Sequence, residues 1–235
     1  KGIERVYHVA AMISTLPGGE QEIFDVNVMG TLHILEAAKA AGVAKVVVSG
    51  SLSATGWEEG KPSNEYLPFN PFKRCLPYTW TKSLSELECW KAAANGLDVV
   101  VATSCAILGP HDYVPSRMGR TLLDYTHGKL RAYLPGGFEF VSAHDIAEGH
   151  VLAMDKGRSG QKYIFGSGHV TVDELVVVWE EVTGVPRPRL RLPPQVMYGI
   201  AQVVSPAMTL LMPQKPQRFT PDAVMLLQQY RSADC

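Results

Sequence analysis

Charge, cysteine and long apolar runs are all scarce in this sequence, and each scarcity removes a class of function. Charged residues make up 19% of the 235 positions and nearly cancel, to a net −1, with one basic cluster, "RPRLR" at 187–191. A chain this neutral has no electrostatic footprint for nucleic acid, so that partner is excluded. The four cysteines, Cys75, Cys89, Cys105 and Cys235, show neither metal-ligand nor redox spacing. Their scarcity suits a reducing compartment, and the expected location is the cytoplasm. The most apolar late stretch, "VMYGIAQVVSPAMTLLM" at 196–212, is interrupted by Gln202, Ser205 and Pro206. It reads as a buried or lid-forming helix in preference to a membrane contact, and no integral membrane segment is expected. What is plentiful is apolar side chain, 46% of the residues, which is the composition of a folded core.

Three runs, "RVYHVAA" (5–11), "AKVVVSGS" (44–51) and "LDVVVATS" (97–104), are continuous and apolar, the pattern of strands buried on both faces. Between the first two, Ile23, Val26, Val28, Leu32, Leu35 and Ala38 recur at helical spacing and the segment closes on Gly42, which predicts a helix over 21–42. A second helix is expected from Tyr78 to Ala94, broken by Asn95 and Gly96. Strand and helix in alternation predict a doubly wound, Rossmann-like α/β sheet with right-handed crossovers. After Gly109 and Pro110 the alternation stops. A helix near 116–128, "AHDIAEGHVLAMDKG" (143–157), the strand "KYIFG" (162–166) and a helix at 171–184 follow, and from Pro193 the signal is Pro-rich and irregular. Thr171 and Glu174 have the spacing of a capping box. The expected division is a sheet domain over 1–109, with 138–168 packed on it, and a smaller mixed substrate-binding part from 110–137 and 169–235.

In an open parallel sheet the ligand lies beyond the carboxyl ends of the strands. Those ends carry Ala10 and Ala11, Ser49 and Ser51, and Thr103 and Ser104, small residues that let a flat ligand approach the backbone. "PYTWTKSLSE" (77–86) then sets Tyr78 four positions before Lys82 at the opening of a helix, beside Ser51 on the cleft rim. A lysine one turn along the same face favours the phenolate of a tyrosine, a weak base otherwise. Such a tyrosine can move an alcohol proton while hydride moves at carbon, Ser51 can donate to the substrate oxygen, and Lys82 can bond a cofactor sugar hydroxyl. A second pair, Tyr125 and Lys129, has no strand-end serine before it and is expected to be a solvated helix end.

With "HVAA", "NVMGT" (27–31), "ILGP" (107–110), "FEFVSAHDIAEGHVLAM" and "GQKYIFG", these residues resemble an extended short-chain dehydrogenase/reductase over nearly the whole chain. The branch is that of dihydroflavonol reductases, hydroxysteroid dehydrogenases and the hopanoid-associated sugar epimerase. The resemblance implies an NAD- or NADP-dependent enzyme acting on a small-molecule secondary alcohol or ketone. It implies Tyr78 as proton donor or acceptor assisted by Ser51 and Lys82, with Ala10, Ala11, Asn27, Ser49 and Ser104 at the cofactor. His111, Tyr113 and Arg117 fall where the family's substrate loop begins. The family often dimerises through helices corresponding to 21–42 and 78–94, so a homodimer is one expectation.

Two features depart from the family. Its opening strand, glycine-rich turn and helix, which hold the pyrophosphate, have no counterpart here, and about sixty preceding residues are expected by comparison with two and a half strand–helix units. The strand at 5–11 should then be an unpaired edge. Ser104 stands where the branch usually has proline. The triad alone does not separate a reductase from a nucleotide-sugar epimerase or dehydratase, nor the whole from a binding module that keeps the fold; "LSATG" after Ser51 lacks the acidic residues of dehydratases. His144, Asp145, Glu148 and His150 read as a polar helix face in preference to metal ligands, and Cys105 as a buried cysteine.

Overall fold

The computed structural model describes residues 2–13, 19–58, 60–70, 76–211, 220–229 and 231–235; Cys75 lies outside them. The chain divides into two compact units, one of Lys1–Ile107, Val141–Ser167 and Ala233–Cys235, the other of Leu108–Phe140 and Gly168–Ser232.

The first unit opens with β1 (Arg5–His8), then α1 (Glu20–Phe24), which runs through a π-helical turn (Asp25–Met29) into α2 (Gly30–Ala40). β2 (Lys45–Ser51), α3 (Pro77–Ala94) and β3 (Val99–Ser104) follow. β4 (Ala106–Leu108) leads into the second unit, with α4 (Arg117–Thr126) and β5 (Ala132–Tyr133). β6 (Gly137–Ser142) leads back, to α5 (Ala143–Lys156) and β7 (Lys162–Phe165). The rest is β8 (Gly168–Thr171), α6 (Val172–Thr183), β9 (Leu190–Arg191), α7 (Pro194–Leu211) and α8 (Pro221–Gln228).

A four-stranded parallel sheet in the order β1-β2-β3-β7 forms the first unit's centre. Val46, Val48, Val99 and Val101 face one way, onto Leu35, Ala38 and Cys89 of α2 and α3. Val47, Val100 and Ala102 face the other way, onto Ala153 and Met154 of α5. Both faces are covered, which is why these strands read as unbroken apolar runs. At Gly50 a Cβ would stand 2.5 Å from Thr103 Oγ1 and 2.8 Å from Val101 Cγ1, so glycine lets β2 and β3 meet at their carboxyl ends.

β1 departs from the buried-strand expectation. It is four residues long, pairs only with β2 among the described residues, and turns Arg5 and Tyr7 to solvent while Val6 packs on the core. With one ladder partner and one covered face, its apolar sequence does not bury it. The helix expected over 21–42 is present with the π turn inside it, and its glycine stop is real: Gly42 has φ 69°.

In the second unit Tyr125, Leu175, Val176 and Trp179 form the core. Here the reading of Tyr125 as a solvated helix end is corrected. Its side chain is 1% exposed, its ring lies 5.3 Å from that of Trp179, and its hydroxyl donates to the Val185 carbonyl at 2.6 Å. The Tyr-x-x-x-Lys spacing there serves packing, since Tyr125 sits on the inward face of a strongly amphipathic α4. The capping box on α6 is complete, with Thr171 and Glu174 bonding reciprocally. The Pro-rich tail, irregular by sequence, holds two helices, α7 and α8, because proline at the first turn and a Thr220 cap start α8 rather than break it.

Candidate active site

Everything that follows about the triad lies in the first unit. β2 ends on Ser51, which enters a one-turn 3-10 segment (Leu52–Ala54) and shares a 2.9 Å hydrogen bond between its hydroxyl and that of Ser53. α3 starts at Pro77, whose fixed φ and missing N–H suit a first helical position, so Tyr78 falls in the opening turn. Tyr78 hydrogen-bonds Ser51. Burial pushes its phenol above the ordinary value of 10.0, and the Ser51 bond partly opposes this. At neutral pH Tyr78 is therefore a protonated acid.

Lys82, one turn on, is buried and donates from Nζ to the Ser49 carbonyl at 2.6 Å. Burial pulls its ammonium below the ordinary value of 10.5, and Cys89 and Glu86 oppose the shift. Burial in turn pushes the Cys89 thiol up to about 12, so at neutral pH Cys89 is uncharged and the standing negative charge is Glu86. That carboxylate is buried, bonded through Oε2 to Lys162 of β7 at 3.1 Å, and its Oε1 has no hydrogen-bond partner. Burial raises the Glu86 carboxyl pKa and Lys162 holds it down. Tyr78, Lys82 and Glu86 thus recur every four residues along one face of α3. The sequence pair was legible; the third member, and the lysine 80 positions further from Lys82 that holds it, needed the fold.

The other cofactor candidates divide by what they touch. Ser49 gives its side chain to His150 of α5, 2.6 Å from Nε2, while His150 Nδ1 lies 2.7 Å from the Ile146 carbonyl. Since that carbonyl can only accept, Nδ1 carries the proton and Nε2 accepts from the Ser49 hydroxyl. On the polar face of α5, His150 is the residue that its helix turn brings against the strand end. Ser104 is in register with Ser51 and its hydroxyl reaches the Gly50 carbonyl at 3.4 Å. Ala10 and Ala11 are exposed beyond β1.

Asn27 is buried at the centre of the π turn, a distortion frequent at functional sites. Its Oδ1 accepts from the Met12 N–H at 2.7 Å, and its Nδ2 donates to the Met12 carbonyl at 3.0 Å and to Thr81 Oγ1 at 3.1 Å. The side chain is thus committed to clamping the segment that carries Ala10 and Ala11. Beside it, Thr31 Oγ1 donates to the Asn27 carbonyl at 2.6 Å, so His8 Nε2–H must be the donor in the 3.1 Å contact with Thr31. Burial, then Lys82, pulls His8 below its ordinary 6.5. A depressed histidine lets the unfolded chain take the proton first, so folding stability should fall as pH drops through about 6.5. Urea midpoints at pH 7.5 and 5.5 test this; His8→Gln should shrink the difference between them.

His111, Tyr113 and Arg117 belong to the second unit. His111 is the one described non-glycine residue with positive φ, at 70°, and its Nδ1 lies 2.6 Å from the Tyr113 hydroxyl. Burial and the neighbouring Arg120 lower the Arg117 pKa.

A model of the family described as NAD dependent epimerase/dehydratase matches residues 1–166. Sterol demethylase protein B of Methylococcus capsulatus is 41% identical over 234 residues, spanning 100% of this chain and 71% of that protein. A putative dihydroflavonol 4-reductase of Synechocystis sp. is 28% identical over 198 residues, 82% of this chain and 58% of its own length. Among solved structures, that of gox2253 superposes with a TM-score of 0.83 at 28% identity, covering 100% of this chain and 71% of the other.

Proposed function

Given that the chain belongs to the NAD dependent epimerase/dehydratase family, we propose that it is an NAD- or NADP-dependent oxidoreductase interconverting a secondary alcohol and a ketone on a small molecule. The observation that carries this reading is the Tyr78 phenol, half-buried, protonated and bonded to Ser51, with the Lys82 ammonium one turn away. The carboxyl ends of β2 and β3 fit the ring end of a nicotinamide cofactor. Ser49, Gly50 and Ser51 run in register with Ala102, Thr103 and Ser104, and none is large. A glycine-rich turn for the phosphates is absent among the described residues, so only the ring end is assigned.

When bound, the cofactor supplies or accepts the hydride. Tyr78 gives its proton to the oxygen that gains charge as the carbonyl is reduced, and takes it back in the reverse direction. Ser51 donates to that same oxygen and fixes its distance from Tyr78. Lys82, held by the Ser49 carbonyl and kept charged by Glu86, stabilises the phenolate once the proton has left. A tyrosine held protonated is prepared for the reducing direction. Relatives whose names include dihydroflavonol 4-reductase and sterol demethylase protein B support redox chemistry on this fold.

Titration with NADH and NADPH, followed by cofactor fluorescence, tests the first half; failure of both to bind ends the proposal. Cofactor consumption against a panel of ketones tests the second. Stoichiometric consumption is expected, whereas product formed without net consumption would convert the reading to an epimerase with the same three residues.

A further inference from the structure

We propose that Ser53 is a positioning residue for the reaction: its hydroxyl donates to Ser51 and so leaves the single Ser51 hydrogen for the substrate oxygen. The inference rests on the redox reading and adds a residue to its three. Ser51 caps the one-turn 3-10 segment at the end of β2, and that turn brings Ser53 back to it. The Ser51 hydroxyl oxygen lies 3.4 Å from the Ser53 backbone nitrogen and 2.9 Å from the Ser53 hydroxyl. The residues on either side hold Ser53 in place. Leu52 and Ala54 are both buried, and Leu52 packs with Cys105, Val141, Ile146 and Ile164. Ser51 and Ser53 between them stay half-buried. Two partly open hydroxyls on a turn anchored by its alternate side chains are held at a fixed separation, which is what a positioning contact needs.

The hydrogens available decide the direction of that contact. A serine hydroxyl has one hydrogen and two lone pairs, and either serine can donate across the 2.9 Å bond. If Ser51 donates, its one hydrogen is committed to Ser53 and none is left for a ketone oxygen. If Ser53 donates, its N–H and its hydroxyl fill both lone pairs of Ser51. The Ser51 hydrogen then points away from Ser53, toward Tyr78 or the substrate. The bond between Ser51 and Tyr78 fits the second arrangement. It holds the phenol pKa down against burial, as a hydrogen given to the phenolate does. Donation into the Ser51 oxygen also polarises its own O–H, so Ser51 gives a stronger bond as charge develops on the substrate. Ser53 acts on that oxygen through Ser51.

Rates of ketone reduction by wild type, Ser53→Ala, Ser51→Ala and the double variant test this. Ser53→Ala should lower kcat about threefold to tenfold, the worth of one neutral hydrogen bond, with KM within about twofold of wild type. Cofactor fluorescence should show unchanged NADH and NADPH affinity, and circular dichroism should show every variant folded. Ser53→Thr keeps the hydroxyl and should restore most of the rate. In the Ser51→Ala background Ser53→Ala should cost nothing further, because the oxygen it donated to is gone. A Ser53→Ala variant at full rate overturns the proposal, and a faster one would mean that Ser51 donates to Ser53. A loss that persists undiminished in the Ser51→Ala background also overturns it, since Ser53 would then meet the substrate directly. A wild type that binds neither cofactor and reduces no ketone removes the redox reading, and the proposal falls with it. A wild type that reduces ketones leaves that reading standing whatever Ser53 does.

Discussion

Tyr78→Phe is expected to lower the rate of ketone reduction by about 10²- to 10⁴-fold, the usual worth of one positioned acid, while leaving the fold and cofactor affinity close to wild type. The substitution removes only the hydroxyl. Ser51 still has Ser53 as a hydrogen-bond partner, so no buried polar group on β2 is orphaned. The pH profile supplies a second reading of the same residue. Because burial lifts the Tyr78 phenol above 10.0, kcat/KM for reduction in the free enzyme should hold through neutrality and fall only above pH 10, where the acid is lost. A wild-type limb near pH 7, or a Phe variant within tenfold of wild type, would mean that another group delivers the proton.

The largest stability effect should come from Glu86→Gln. Glu86 and Lys162 are both nearly inaccessible, their side chains 8% and 9% exposed, and they meet at 3.1 Å. Neutralising one partner of a buried pair leaves the other charge uncompensated, a loss of about 3–5 kcal/mol in urea unfolding. Replacing both, as Glu86→Leu with Lys162→Met, should restore most of that stability, since the desolvation of two ions disappears together. Lys82 makes the double variant informative. If Glu86 is what keeps Lys82 charged, the double variant will be stable yet still impaired in catalysis. Recovery of both stability and rate would confine Glu86 to a structural role.

Much of the sheet was legible because it is built from the most local of signals. "VVVS" and "VVVATS" are apolar without alternation, and only strands covered on both faces tolerate that; "TVDE" writes out its own helix cap. Ser51, Tyr78 and Lys82 were legible as well, since strand order places a β2 terminus beside the first turn of α3 and helix geometry sets the spacing of four. The same spacing misled at Tyr125, where a residue three turns into an amphipathic helix went to the core. Burial depends on which face meets Trp179, and no local pattern states that.

By itself, then, the sequence determined the strand-and-helix alternation, the helix caps, the serine at the end of β2 and the tyrosine–lysine spacing on α3, because each follows from neighbours within about one helical turn or one strand. Only the tertiary structure decided the rest. His150 meets Ser49 across 101 positions, Lys162 meets Glu86 across 76, and Asn27 meets Thr81 across 54. A charge or a hydroxyl buried in the interior must find its partner wherever the fold brings one within about 3 Å, and sequence distance has no bearing on that. α7 was left to the structure as well: its sequence carries no charge on any side, and only packing could show which half stays open to solvent.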